Sequence, residues 1–362
     1  MDSVSQAVLG SSLTLAVIGD KLGPRRSVIF GAVLGTLPDL DVLVPLHDAV
    51  DRFVLHRSVT HSLIMHLMIT PILVEPLRLW FIKSVSAWRL YLVVFLVLST
   101  HALLDALTIY GTQLFWPVSR HPYGTGSIFI IDPLYTLPLL AASVLALMRR
   151  TFSATLRRAT LGALAVSTAY LGWSLMAQNV AHARALRQFD QAGIRVRMAL
   201  ATPTPFNTLY WRVIGIDGER YFNIYLPLLD SDDGGMIYEH RRLAIDTDCL
   251  TGNNAARKLE AFSKGYFMTD VEGDDVHLAD LRMGLPTGYV FDFDIGRIAD
   301  GEVLEIEPQR IRHRFSAEGD LGWLLAGITG DDRIRPAESD ALIGLSPTVP
   351  RDTSRTTDCP SD

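Results

Sequence analysis

Long apolar runs are confined to the first half of the chain. They fall at residues 4–19, 27–45, 61–82, 90–110, 128–148 and 159–177. A helix needs about 20 apolar residues to cross a hydrocarbon core. The last four runs meet that length and the first two sit at the limit. The second is interrupted by LPDLD, and the third contains Pro71, Glu75 and Pro76. The pattern predicts an α-helical polytopic membrane domain of four to six transmembrane helices over residues 1–177. The first run lacks the basic n-region of a cleaved signal peptide and is expected to be retained.

From residue 178 the pattern changes. NVAHARALRQFDQAGI reads as a helix leaving the membrane. TPTPFNTLYWRVIGIDGERYFNIYLPLL holds two strand-like runs around IDGE, which predicts a hairpin. NAARKLEAFSKGY reads as a helix with Gly265 near its end, and GYVFDFDIGRI and VLEIEPQRI read as further strands. Residues 178–344 are therefore expected to form a small, mostly antiparallel α+β domain. Residues 345–362, rich in Pro, Ser and Thr, are expected to be a disordered tail.

Loop charge adds an orientation. The odd loops carry Lys21, Arg25 and Arg26, then Arg78, Lys83 and Arg89, then Arg149, Arg150, Arg157 and Arg158. The even loops carry few Lys or Arg: Arg52 and Arg57 among His and Asp residues in the second, and Arg120 with His121 in the fourth. By the positive-inside rule the odd loops face the cytoplasm, which puts the C-terminal domain on the extracytoplasmic side. Composition agrees with a membrane protein: 49% of the 362 residues are hydrophobic, and the mean hydropathy is +0.23. The net charge of −6 leaves no basic footprint for nucleic acid. The two cysteines, Cys249 and Cys359, form no CxxC pair, which argues against a thiolate zinc site. A disulfide between them stays open.

The chemistry lies in ionisable residues inside the apolar half, where such groups are costly and usually functional. They are Asp39 and Asp41, His56 and His61 with Arg57, His101 and Asp105, and Asp132. Under the predicted topology all four segments carry them near the outer boundary. His101 and Asp105 are four apart and share one helical face. Pro38 suits a bent turn for Asp39 and Asp41. Histidine nitrogen and carboxylate oxygen suit Zn²⁺, Mn²⁺ or Fe²⁺. The set is expected to hold one or two divalent ions, which would generate a nucleophile from water. Asp39 or Asp105 would serve as general base, and Arg57 would hold an anionic oxygen. Plainer readings exist: any one His is often a packing residue, and Asp132 can cap a helix ahead of Pro133. His66 sits deeper, and His47 and His121 lie in loops, so these three are left out. Tyr110 and Trp116 fit an interfacial aromatic belt.

LPDLD, HRSVTHS and HALLDALTIYGTQLFWP, in this order, resemble the YdjM-like membrane-bound proteins. The likeness extends to MDSVSQAVLG, IFIIDPLYTLPLL, TPTPFNTLYWRV and FSKGYF, and so spans most of residues 1 to 290. The resemblance implies a metal-dependent hydrolase of the bacterial inner membrane. Its polar positions match Asp39, Asp41, His56, His61, His101 and Asp105. This chain departs from it at Ser58-Val59, where a small Gly before an aromatic or aliphatic residue is common, and at Gln6, where many relatives have His. Asp2 and Gln6 are expected at the edge of the site. The expected partners are membrane lipids and a lipid-linked or amphipathic ester. The rival expectation is a structural or sensing metal site beside a partner-binding outer domain.

Overall fold

In the computed structural model, residues 1–45, 47–229, 235–300, 302–312, 318–331 and 333–343 are described. The tail predicted from residue 345, and Cys359 with it, lies outside them. The chain divides into two compact units. The first comprises Met1–Pro45, His56–Met176 and Pro205–Asn207. The second comprises Leu46–Leu55, Ala177–Thr204 and Thr208–Asp362.

The first unit is helical. Helix α1 (Ser3–Leu22) is capped by Asp2, whose carboxylate accepts from the Val4 and Ser5 amides. Gly23, at φ 85°, turns the chain directly into α2 (Pro24–Thr36), which opens on a proline. The two helices touch through glycine. A Cβ on Gly10 would lie 2.3 Å from the Gly31 carbonyl oxygen, and one on Gly35 would lie 2.5 Å from that of Gln6. Small residues at this spacing let helix backbones meet. Pro38 lacks the amide that would continue α2, so the apolar run breaks there into a 3-10 turn, Pro38–Leu43.

Helix α3 (Ala49–Leu55) belongs to the second unit. A 3-10 turn, Val59–His61, then leads into α4 (Leu63–Pro76), which continues as a π turn to Phe81. Helix α5 (Ala87–Leu107) buries Val93, Val94, Val97 and Leu98 against Ile18, Leu34 and Val74. Helix α6 (Pro133–Met148) and helix α7 (Ala154–Gln191) follow. The apolar run begins at residue 128, and the helix within it starts at Pro133 with Asp132 as its cap, one of the readings the sequence left open. Among the described residues, Leu63–Phe81, Ala87–Leu107 and Ala154–Gln191 are long and apolar enough to cross a membrane, and Pro133–Met148 is shorter.

The second unit is β-rich. Strands β1 (Met198–Pro203), β2 (Tyr210–Asp217), β3 (Arg220–Pro227) and β4 (Met236–Arg241) form an antiparallel meander in chain order. The expected hairpin is β2–β3: Asp217 pairs with Arg220 across a Gly218-Glu219 turn. Ala177, Ala181, Ala185 and Phe189 recur every four residues on α7 and pack on Trp211, Val213, Phe222 and Ile224. The other face packs against Tyr266, Leu281 and Tyr289, and against Trp323. Burial on both faces explains the nearly unbroken apolar run of β2.

Helix α8 (Asn254–Ser263) comes next and ends at the left-handed Lys264. The second sheet follows, built from β5 (Phe267–Glu272), β6 (Asp275–Asp280), β9 (Asp292–Ala299) and β10 (Glu302–Ile311) in the order β10-β9-β6-β5, all antiparallel. A short pair, β7 (Gly284–Leu285) and β8 (Gly288–Tyr289), precedes β9. Helix α9 (Asp320–Ile328) closes the unit. Helix α3 joins it because Phe53 stacks on Phe291 with centroids 4.2 Å apart and meets Phe262 edge-on at 4.7 Å, while Asp51 pairs with Lys258. The charge pattern of this stretch predicts a loop of the membrane domain; its packing makes it a helix of the β-rich unit instead.

Candidate metal centre

Four candidate ligands meet inside the first unit. Asp39 comes from the turn after α2, His61 from the turn before α4, and His101 and Asp105 from α5. One ligand atom from each lies within 4.8 Å of all the others. The His61 and His101 Nε2 atoms are 3.1 Å apart. Each lies 3.4 Å from Asp39 Oδ1, and they lie 3.3 and 3.6 Å from Asp105 Oδ2. Zinc–ligand bonds of about 2.0–2.1 Å imply ligand–ligand edges near 3.3 Å for a tetrahedron. The observed separations bracket that value.

Proton placement sharpens the fit. His101 Nδ1 lies 2.7 Å from the Gly35 carbonyl oxygen, which can only accept, so Nδ1 carries the hydrogen. The Thr60 hydroxyl donates to Asp41 Oδ2 at 2.8 Å, so it must accept at 2.9 Å from His61 Nδ1–H. With Nδ1 of each ring turned to its acceptor, the two Nε2 atoms face each other across 3.1 Å, beside two carboxylate oxygens. A divalent cation among these four atoms would be held by all of them. A metal-ligating histidine characteristically donates its other ring N–H in this way. Asp105 Oδ2 is also buried, and among the described residues it faces the two Nε2 atoms and Arg57 Nε at 3.1 Å. The residues present fit a divalent ion.

The other predicted residues surround this core. Asp41 and His56 pair with each other through a 2.8 Å contact between Oδ1 and Nδ1, and stand beside the four. Arg57, buried and at φ 63°, sets its Nε 3.1 Å from Asp105 Oδ2. It also donates to Thr108 Oγ1 at 3.1 Å and lies over the Tyr110 ring at 4.8 Å. Gln6 reaches further in than its expected place at the edge: its amide donates to Asp105 Oδ1 at 3.1 Å. The Met1 amino group also contacts that oxygen. Asp2 caps α1. Asp132 is not brought to the cluster. It caps α6 through the Leu134 and Tyr135 amides and accepts from the Tyr170 hydroxyl at 2.9 Å. His66 donates through Nε2 to the Thr60 carbonyl at 2.8 Å.

Sequence reasoning missed Thr60, Thr108 and the Gly35 carbonyl. Thr60 had one signal, its place directly before His61. A backbone carbonyl has none.

His61, His101 and Asp105 are at most 1% exposed, whereas Asp39 and His56 are each 21% exposed and Asp41 12%. Leu40, Val42 and Leu43 interleave with the two aspartates and are exposed.

A family model for the YdjM inner membrane protein matches residues 1–181. No curated protein and no solved structure matches the chain.

Proposed function

We propose that this chain, which belongs to the YdjM inner membrane protein family, is a metal-dependent hydrolase acting on lipid-linked or amphipathic esters, phosphoesters included. The observation that carries this reading is the convergence of two histidine nitrogens with two carboxylates, His61, His101, Asp39 and Asp105. A bound divalent ion would supply a Lewis acid and a water of lowered pKa there. Arg57 compensates the buried charge of Asp105 and holds it in place through Thr108 and Tyr110. Asp39, the exposed member, faces the incoming ester. His56, oriented by Asp41, stands at the opening and passes a proton to the leaving oxygen. The exposed Leu40, Val42 and Leu43 form an apolar collar suited to an acyl or isoprenoid chain.

The loop charges support a multi-pass topology with the opening and the β-rich unit on the extracytoplasmic side. A site at headgroup level meets lipid substrates directly.

The test is metal analysis of detergent-purified protein together with hydrolysis of bis(4-nitrophenyl) phosphate and a long-chain nitrophenyl ester. Wild type is expected to retain a stoichiometric divalent metal and to hydrolyse one of the probes. His61→Ala and His101→Ala are each expected to lose both properties. Unchanged metal content and hydrolysis in the variants would refute the reading. The burial of three ligands also favours a second reading, a structural clamp joining three chain segments. Chelation separates the two: a clamp unfolds, whereas a catalytic centre stays folded and inactive.

A further inference from the structure

We infer that Thr60 is a positioning residue for the metal centre, fixing His61 as a ligand by coupling its ring to the Asp41 carboxylate. The inference rests on the metal-centre reading and extends it to a residue that touches no ligand position itself.

The geometry is a relay. His61 Nδ1–H donates to Thr60 Oγ1 at 2.9 Å, and Thr60 Oγ1–H donates to Asp41 Oδ2 at 2.8 Å. The direct separation of His61 Nδ1 from Asp41 Oδ2 is 3.8 Å, too long for a hydrogen bond. The hydroxyl is therefore the bridge. A hydroxyl has one hydrogen to give, and the carboxylate takes it, so the hydroxyl oxygen is polarised toward accepting. That fixes a hydrogen of His61 on Nδ1 and turns Nε2 toward His101, Asp39 and Asp105. Thr60 is itself anchored, because its carbonyl accepts from His66 Nε2 at 2.8 Å. Asp41 is anchored too: Oδ2 also accepts the Arg57 amide at 3.2 Å, and Oδ1 takes His56 Nδ1 at 2.8 Å. With both oxygens committed, Asp41 acts through Thr60 and not as a ligand. His101 has an equivalent partner in the Gly35 carbonyl. Each metal-facing imidazole is thus oriented from behind by one acceptor, the arrangement that tunes ligand basicity in metal sites.

The experiment measures Zn²⁺ and Co²⁺ dissociation constants by chelator competition on the full-length protein in detergent, with circular dichroism as the fold control. Thr60→Val keeps the side chain's shape and removes the hydroxyl, and is expected to weaken metal binding 10- to 100-fold. Thr60→Ser restores the hydroxyl and is expected to bind like wild type. Asp41→Asn keeps the shape of the acceptor and removes its charge, and is expected to weaken binding while staying folded. It decides the matter if Thr60→Val fails to fold. Wild-type affinity in folded Thr60→Val, or in Asp41→Asn when Thr60→Val is unfolded, would overturn the inference. So would a Thr60→Ser variant as weak as Thr60→Val. If wild type itself binds neither ion, the metal-centre reading fails first and takes this inference with it, an outcome distinct from the others.

Discussion

Replacing Gly31 by alanine tests whether the α1–α2 contact sets the metal centre. A Cβ at Gly31 would lie 2.3 Å from the Gly10 carbonyl oxygen and 2.6 Å from Thr14 Oγ1. Carbon and oxygen settle at about 3.3 Å or more, so the backbones must part locally by about 1 Å. Overpacking of this kind costs about 1–3 kcal/mol. One turn further along α2, the Gly35 carbonyl accepts His101 Nδ1 at 2.7 Å. A shift of about 1 Å takes that contact beyond hydrogen-bond reach. Loss of such a partner lowers metal affinity roughly tenfold or more. Gly31→Ala is therefore expected to melt several degrees below wild type and to bind metal more weakly. Gly172→Ala is the control: its new Cβ would meet nothing within 4 Å on α7, and alanine is the better helix former. That variant is expected to be as stable as wild type or more so. The assays are thermal unfolding in detergent and chelator competition. Wild-type melting and affinity in Gly31→Ala would refute the reasoning.

Two further outcomes follow from the structure. Glu338 is fully buried in the second unit and accepts from Asn223, Tyr225, His240 and Arg335 at 2.6–2.9 Å. Burial pushes its pKa up, but His240 and Arg335 outweigh burial and hold it at about 2, against an ordinary 4.5. The unfolded chain takes up that proton first, so this stabilisation is full above about pH 4.5 and is lost as pH falls toward 2. Acid unfolding followed by circular dichroism should show that window, and Glu338→Gln should flatten it; an unchanged acid limb would count against the network. Asp132→Ala removes a cap and is expected to cost about 0.5–2 kcal/mol of stability with metal affinity unchanged. A loss of metal binding would return Asp132 to the centre.

The sequence was most legible where physics is local. Hydropathy marks Leu63–Phe81 and Ala87–Leu107 without any tertiary contact, because a long apolar run is visible residue by residue. The IDGE turn and the end of a helix near Gly265 were readable for the same reason, though the left-handed Lys264 was not. The Leu46–Leu55 stretch was not. Its charged residues read as a loop, while Phe53, the residue that decides its place, finds its aromatic partners at Phe262, Phe291 and Phe293. Nothing within the stretch announces them.

The same division holds at the site. The sequence alone determined the candidate ligand types and two of their directions: His101 and Asp105 share a helical face at any tertiary arrangement, and Pro38 bends the chain at Asp39. It could not rank the carboxylates, since Asp39, Asp41 and Asp132 are chemically the same. Tertiary structure sorted them. Asp39 turns in, Asp41 is taken up by His56, Thr60 and the Arg57 amide, and Asp132 is spent on α6 and Tyr170. The groups that orient the ligands are remote, with Gly35 lying 66 residues from His101. A metal centre needs several side chains held within an ångström or so of one geometry. Local pattern selects the side chains, and only packing between distant segments supplies the geometry.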